Sequence, residues 1–199
     1  MEPLRDAPET CVLQGSTVDQ ELLTNRTFDE ISVGESASLV EIVRMDDIDL
    51  FAGVCGGASP AHLNATSATS DPFGHVVAHG IWTAALVSAV LGTRLPGPGT
   101  IYLGQDLRFL KPVAPGDTVT ATVTVRSKDA AKRTVVLETA CANQRGETVL
   151  SGTATVIAPG QRVTWPRTQR PEGTLRHSDH YDRIVAQACA LPILSAAIV

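Results

Sequence analysis

At 199 residues, with 43% hydrophobic and 19% charged, the chain holds enough apolar material for one full domain core plus appendages. A formal net charge of -5 argues against the clustered Lys and Arg of nucleic-acid binders. It leaves room for a phosphorylated ligand held by a few cations or backbone N–H groups. The most apolar stretch, residues 80–92, is shorter than the roughly 20 residues a bilayer span needs, so no membrane association is expected.

The first 26 residues carry turn formers without periodicity and read as an arm. Cys11, Cys55, Cys141 and Cys189 are scattered with no CxxC pair, and no basic segment leads into an apolar one near the start. Reduced thiols and a cytoplasmic location are the expectation.

Residues 35–44 (ESASLVEIVR) read as a strand, and Asp46–Asp47 open a short helix. Residues 56–60, Gly-Gly-Ala-Ser-Pro, form a loop. Residues 80–91 are apolar almost all round, the pattern of a helix buried on every side, with Gly92 as its stop.

Strands follow. Residues 101–110 lead through a Lys-Pro-Val-Ala-Pro-Gly-Asp turn at 111–117. Val119, Ala121, Val123 and Val125 then alternate with threonines. Residues 133–142 and 148–158 complete an antiparallel meander with short polar connections.

The fold class is therefore α+β, with a curved antiparallel sheet wrapped around one buried helix. Such a sheet leaves free edges, and pairing across a two-fold axis predicts a homodimer or dimer of dimers. The expected organisation is an arm at 1–26, a domain at 27–158, and a linker with the start of a truncated C-terminal segment at 159–199.

Two histidine-bearing stretches carry the chemistry. Phe51-Ala-Gly-Val-Cys-Gly-Gly-Ala-Ser-Pro-Ala-His62 comes first, then Phe73-Gly-His-Val-Val-Ala-His-Gly80 at the head of the apolar helix. His75 and His79 have metal-ligand spacing, with His62 a conceivable third ligand. No nearby Glu or Cys completes the set, so no metal is expected.

These stretches resemble the MaoC-like (R)-specific enoyl-CoA hydratases, which carry a Ser-Gly-Asp-x-Asn-Pro-x-His loop, an Ala-His-Gly helix start, a Phe-x-x-Pro-Val strand end and a Gly-Asp turn. Gly56, Pro60, His62, Ala78-His79-Gly80, Phe109 to Val113 and Gly116-Asp117 match in order. The resemblance implies a hot-dog fold and hydration of trans-2-enoyl-CoA to (R)-3-hydroxyacyl-CoA.

It also implies roles: His62 as acid/base, Gly80 as donor of an oxyanion-binding amide, Ser88 as an orienting hydroxyl, and Ser59, His79 and Trp82 as substrate contacts. No cofactor is implied, coenzyme A being part of the substrate. The sequence departs from the pattern at one telling position. The family aspartate is Gly57, with Ser59 for its asparagine and Cys55 for its serine, and no acidic residue lies between Asp49 and Asp71.

An impaired hydratase is thus the first reading. A non-catalytic acyl-CoA-binding and dimerising module is the alternative, and a hot-dog thioesterase a further one. Residues 180–199 weakly resemble the opening of a phosphate acetyl- or butyryltransferase domain, which implies the N-terminal part of a bifunctional hydratase/phosphate acetyltransferase.

Overall fold

The computed structural model describes residues 21–69 and 72–168. Strand β2 (Ser36–Ile42) runs into helix α1 (Met45–Cys55). The Asp47 carboxylate accepts the Arg44 amide at 3.2 Å, and Asp46 and Asp47 sit favourably in the first turn. Gly56 ends α1 in the left-handed region at φ 70°, which glycine adopts without steric cost.

Two short helices follow, α2 (Pro60–Leu63) and α3 (Ala65–Ala68), then the long helix α4 (Gly80–Thr93). The chain next forms β3 (Ile101–Phe109), β4 (Thr118–Asp129), β5 (Thr134–Ala142) and β6 (Thr148–Ile157).

These strands make one five-stranded antiparallel sheet in the order β2-β4-β5-β6-β3. The Val/Thr alternation of β4 places Val119, Ala121, Val123 and Val125 inward, where they are buried. Helix α4 lies against β4, β2 and β5, and Leu86, Val87, Val90 and Leu91 share one core with those strands. This is the expected hot-dog arrangement.

Three details differ from the sequence reading. Helix α4 is not buried on every side: Ile81, Ala85, Ser88 and Gly92 form an exposed stripe because the sheet covers only part of the helix. Gly92 does not stop it either, since the amide of Arg94 still bonds Val90 and the helix reaches Thr93. Residues 22–24 (β1, Leu22–Thr24) pair with β7 (Thr164–Pro166), so ordered structure extends past both ends of 27–158. Residues 180–199, with their acyltransferase resemblance, lie outside the described residues.

Candidate active site

Pro60 occupies the first turn of α2, where its missing N–H costs nothing. His62 follows two residues later, with its amide bonded to the Ser59 carbonyl at 3.0 Å. Its Nδ1 lies 2.7 Å from the Val77 carbonyl. A carbonyl only accepts, so Nδ1 carries the proton and Nε2 of the neutral ring keeps its lone pair.

The segment before α4 is clamped from two sides. The Val77 amide bonds the Ala61 carbonyl at 3.2 Å, and the Ala78 amide bonds the Val113 carbonyl at 2.7 Å. His79 then caps α4, and its ring lies over that of His62 with centroids 3.9 Å apart. Phe51 flanks it at 5.2 Å.

His79 is only 9% exposed, and neither ring nitrogen meets a hydrogen-bond partner among the described residues. Burial lowers its pKa below the usual histidine value, and the neighbouring His62 adds to this, while the Gly57 backbone acts the other way. The ring is therefore neutral at pH 7.

A cavity of about 320 Å3 opens at this point, with His62, His79, Gly80, Thr83, Phe109 and Val149 among its lining residues. Gly80 begins α4, so its amide has no acceptor one turn back and lies at the positive helix end. The Phe109 ring packs against it: a Cβ at position 80 would lie 3.1 Å from Phe109 Cδ1. The Thr83 hydroxyl donates to the Gly80 carbonyl at 2.6 Å, and the residue lines the cavity.

Lys111 is the cationic residue in the lining, and it is paired with Glu147 at 2.5 Å. Hydrogen bonds from Asn143, Lys111 and Arg145 hold the Glu147 carboxyl down to about 2. The lining contains no Asp or Glu among the described residues.

Of the residues singled out in the sequence, the structure brings His62, His79 and Gly80 to one cavity. The other three lie apart from it. Trp82 is 8% exposed and belongs to the hydrophobic core, because two residues past Gly80 the helix has turned its side chain toward the sheet. Ser88 lies on the exposed stripe, more than two turns down α4.

Ser59 caps α2 with its backbone, and its side chain is exposed. Thr83 is a lining residue that sequence reasoning passed over, and Phe109, read there only as part of a strand-end motif, is another member of the lining. Thr83 stands three after Gly80, the spacing of one helix face, and that was the available signal. His75 is exposed, and among the described residues no three His, Cys, Asp or Glu side chains are placed to hold a metal.

The MaoC-like domain model matches residues 15–145. The chain belongs to the MaoC-like family. Within it, the (R)-specific enoyl-CoA hydratase of Rhodospirillum rubrum is 47% identical over 134 residues, covering 67% of this chain and 92% of that protein. The 3-hydroxybutyryl-CoA dehydratase of Methylorubrum extorquens is 39% identical over 146 residues, covering 73% of this chain and 92% of that protein. Among solved structures, the unliganded R-hydratase PhaJ1 of Pseudomonas aeruginosa superposes with a TM-score of 0.75 at 37% identity, covering 78% of this chain and 99% of that one. This MaoC-like chain thus spans nearly the whole length of these three relatives.

Proposed function

We propose that this MaoC-like protein hydrates trans-2-enoyl-CoA to (R)-3-hydroxyacyl-CoA, with His62 as the acid/base group. The observation that supports it most is the placing of His62 and Gly80 on one apolar cavity. The relatives' names point to the same chemistry.

The thioester carbonyl lodges against the Gly80 amide, where an unsatisfied N–H and the helix dipole stabilise the enolate oxygen. His62 Nε2 removes a proton from water as the oxygen bonds the β-carbon. The imidazolium then returns a proton to the α-carbon, so one ring accounts for both transfers. The Val77 carbonyl fixes the tautomer this requires.

A second acid/base group is worth about 10²–10⁴-fold, or about 3–5 kcal/mol of barrier. With Gly57 in place of the carboxylate, the rate of this protein is expected to be correspondingly low.

That same glycine favours a second reading, a non-catalytic acyl-CoA-binding and dimerising module. Loss of the enoyl-thioester absorbance of crotonyl-CoA separates the two. Slow turnover that His62→Ala abolishes supports the hydratase; tight binding with no turnover supports the module. A thiol-reactive dye detects free coenzyme A and so a thioesterase.

A homodimer accords with the fold. Edge strand β3 and the residue after it leave Ile101, Leu103, Phe109 and Leu110 exposed, and α4 leaves Ile81 exposed. A second copy pairing at β3 would cover them. No helix among the described residues is long and apolar enough to cross a membrane. Free thiols at Cys55 and Cys141 accord with a cytoplasmic location.

A further inference from the structure

His79 stands at the N-cap of α4, yet its side chain makes no capping hydrogen bond. Ser, Thr, Asp and Asn serve that position by accepting an amide from the first turn. The ring is 9% exposed, and both nitrogens are sealed from solvent with no partner among the described residues. Two sealed and unpaired polar atoms cost stability, and neither capping nor hydrogen bonding accounts for an imidazole here. What the ring does have is aromatic neighbours. Phe51 lies with centroids 5.2 Å apart and planes at 47°, and His62 at 3.9 Å and 32°.

His62 needs such a neighbour. It sits on α2, a helix of four residues, too short to be held by its own ladder. One hydrogen bond, from Nδ1 to the Val77 carbonyl at 2.7 Å, fixes its tautomer. That bond leaves the ring free to turn about the N–H···O line, and a contact on the ring face removes that freedom. Both constraints come from one anchored segment. The Val77 amide bonds Ala61 at 3.2 Å, the Ala78 amide bonds Val113 at 2.7 Å, and the Trp82 amide bonds the His79 carbonyl at 2.9 Å.

We propose that His79 is a positioning residue for the hydration: the face of its ring fixes the plane of the His62 imidazole, and with it the direction of His62 Nε2. The inference rests on the reading of His62 as the acid/base group. It assigns the role to the ring and not to the nitrogens, which their surroundings keep from water and substrate. His62 becomes an imidazolium between its two proton transfers. An uncharged aromatic ring is a favourable neighbour for that cation, whereas a second cation would oppose it. The direction of Nε2 matters because proton transfer demands hydrogen-bond distance and alignment.

The test compares the full chain with His79→Phe, His79→Asn and His79→Gln by thermal midpoint, steady-state hydration of crotonyl-CoA, and nitrogen NMR shifts of the His62 ring. Phe keeps a ring without nitrogens; Asn and Gln keep polar atoms without a ring. His79→Phe should stay close to the wild type in kcat and hold His62 in its single Nδ1-protonated tautomer. His79→Asn and His79→Gln should lose about 10²-fold in kcat with KM unchanged, and His62 should exchange between tautomers. Activity kept by Asn or Gln and lost by a folded Phe variant overturns the proposal, as does an equal loss in all three or a KM that rises with the loss. If His79→Phe does not fold, a wild-type kcat and a single His62 tautomer in His79→Asn overturn it alone. Hydration that survives removal of the ring sinks this inference and leaves the hydratase reading standing. A wild type without hydration, whose single His62 tautomer is lost in His79→Asn and kept in His79→Phe, does the reverse.

Discussion

The imidazole rings of His62 and His79 lie with centroids 3.9 Å apart and planes inclined at 32°, and among the described residues only the His62 ring makes a hydrogen bond, to the Val77 carbonyl. His62 is oriented by the Val77 carbonyl, whereas His79 is held by burial among Phe51, His62 and the backbone of Gly57. Two adjacent rings cannot both take a proton cheaply, and the buried one yields.

This sets the acid limb of stability. The pKa of His79 is depressed in the folded state, so the unfolded chain binds the proton more readily. Stability is fully present above the unfolded histidine pKa of about 6.5 and falls as pH drops through it toward the folded value. Thermal midpoints measured from neutral to mildly acid pH should decline for the wild type. His79→Asn should flatten that decline.

Restoring the missing carboxylate is a coupled problem. A Cβ at 57 meets Cys55 Sγ at 3.1 Å and His79 Nε2 at 3.3 Å, so the Asp side chain of Gly57→Asp arrives in occupied space. The thiol is larger than the hydroxyl for which the family pattern leaves room. Gly57→Asp alone should raise crotonyl-CoA hydration modestly. The double change Cys55→Ser with Gly57→Asp should raise it further, toward the full factor of about 10²–10⁴. Steady-state rates of the wild type, Cys55→Ser, Gly57→Asp and the double variant measure the coupling.

Gly152 lies on β6 opposite Leu107 of β3. A Cβ there would run into the Asp106 carbonyl. Gly152→Ala should therefore destabilise by about 1–3 kcal/mol through displaced backbone. Urea denaturation reads the loss, and Gly104→Ala, where a Cβ meets open space, is the control.

The exposed edge of β3 carries Leu103 at 53% exposure, beside a break in register between Tyr102 and Gly104. A buried like-charge pair across a two-fold axis is costly, so Leu103→Asp should shift a homodimer toward monomer. Light scattering after gel filtration gives the mass. A wild type already monomeric would remove this interface.

Much of the fold was legible because its signals are periodic. The valines of β4 alternate with threonines over the strand, and no other element type satisfies a period of two. The wholly apolar run of α4 said that the helix was central, but it carried no moment to say which side faced the sheet. The resemblance alone assigns Trp82 and Ser88 to the site, and the apolar run offers no asymmetry that would replace them with Thr83. His62 and Gly80 reached the same cavity through motif order alone, since they stand 18 positions apart along the chain and no periodicity spans such a gap. The stacking of His79 on His62 depends on backbone bonds from Val77 and Ala78 to distant carbonyls, which leave no trace in the sequence.

The most direct test is a crystal structure with a non-hydratable enoyl-CoA analogue bound. The account predicts the thioester oxygen within hydrogen-bond distance of the Gly80 amide and the β-carbon facing His62 Nε2. An analogue seated elsewhere, or bound with its carbonyl turned away from the start of α4, would contradict it.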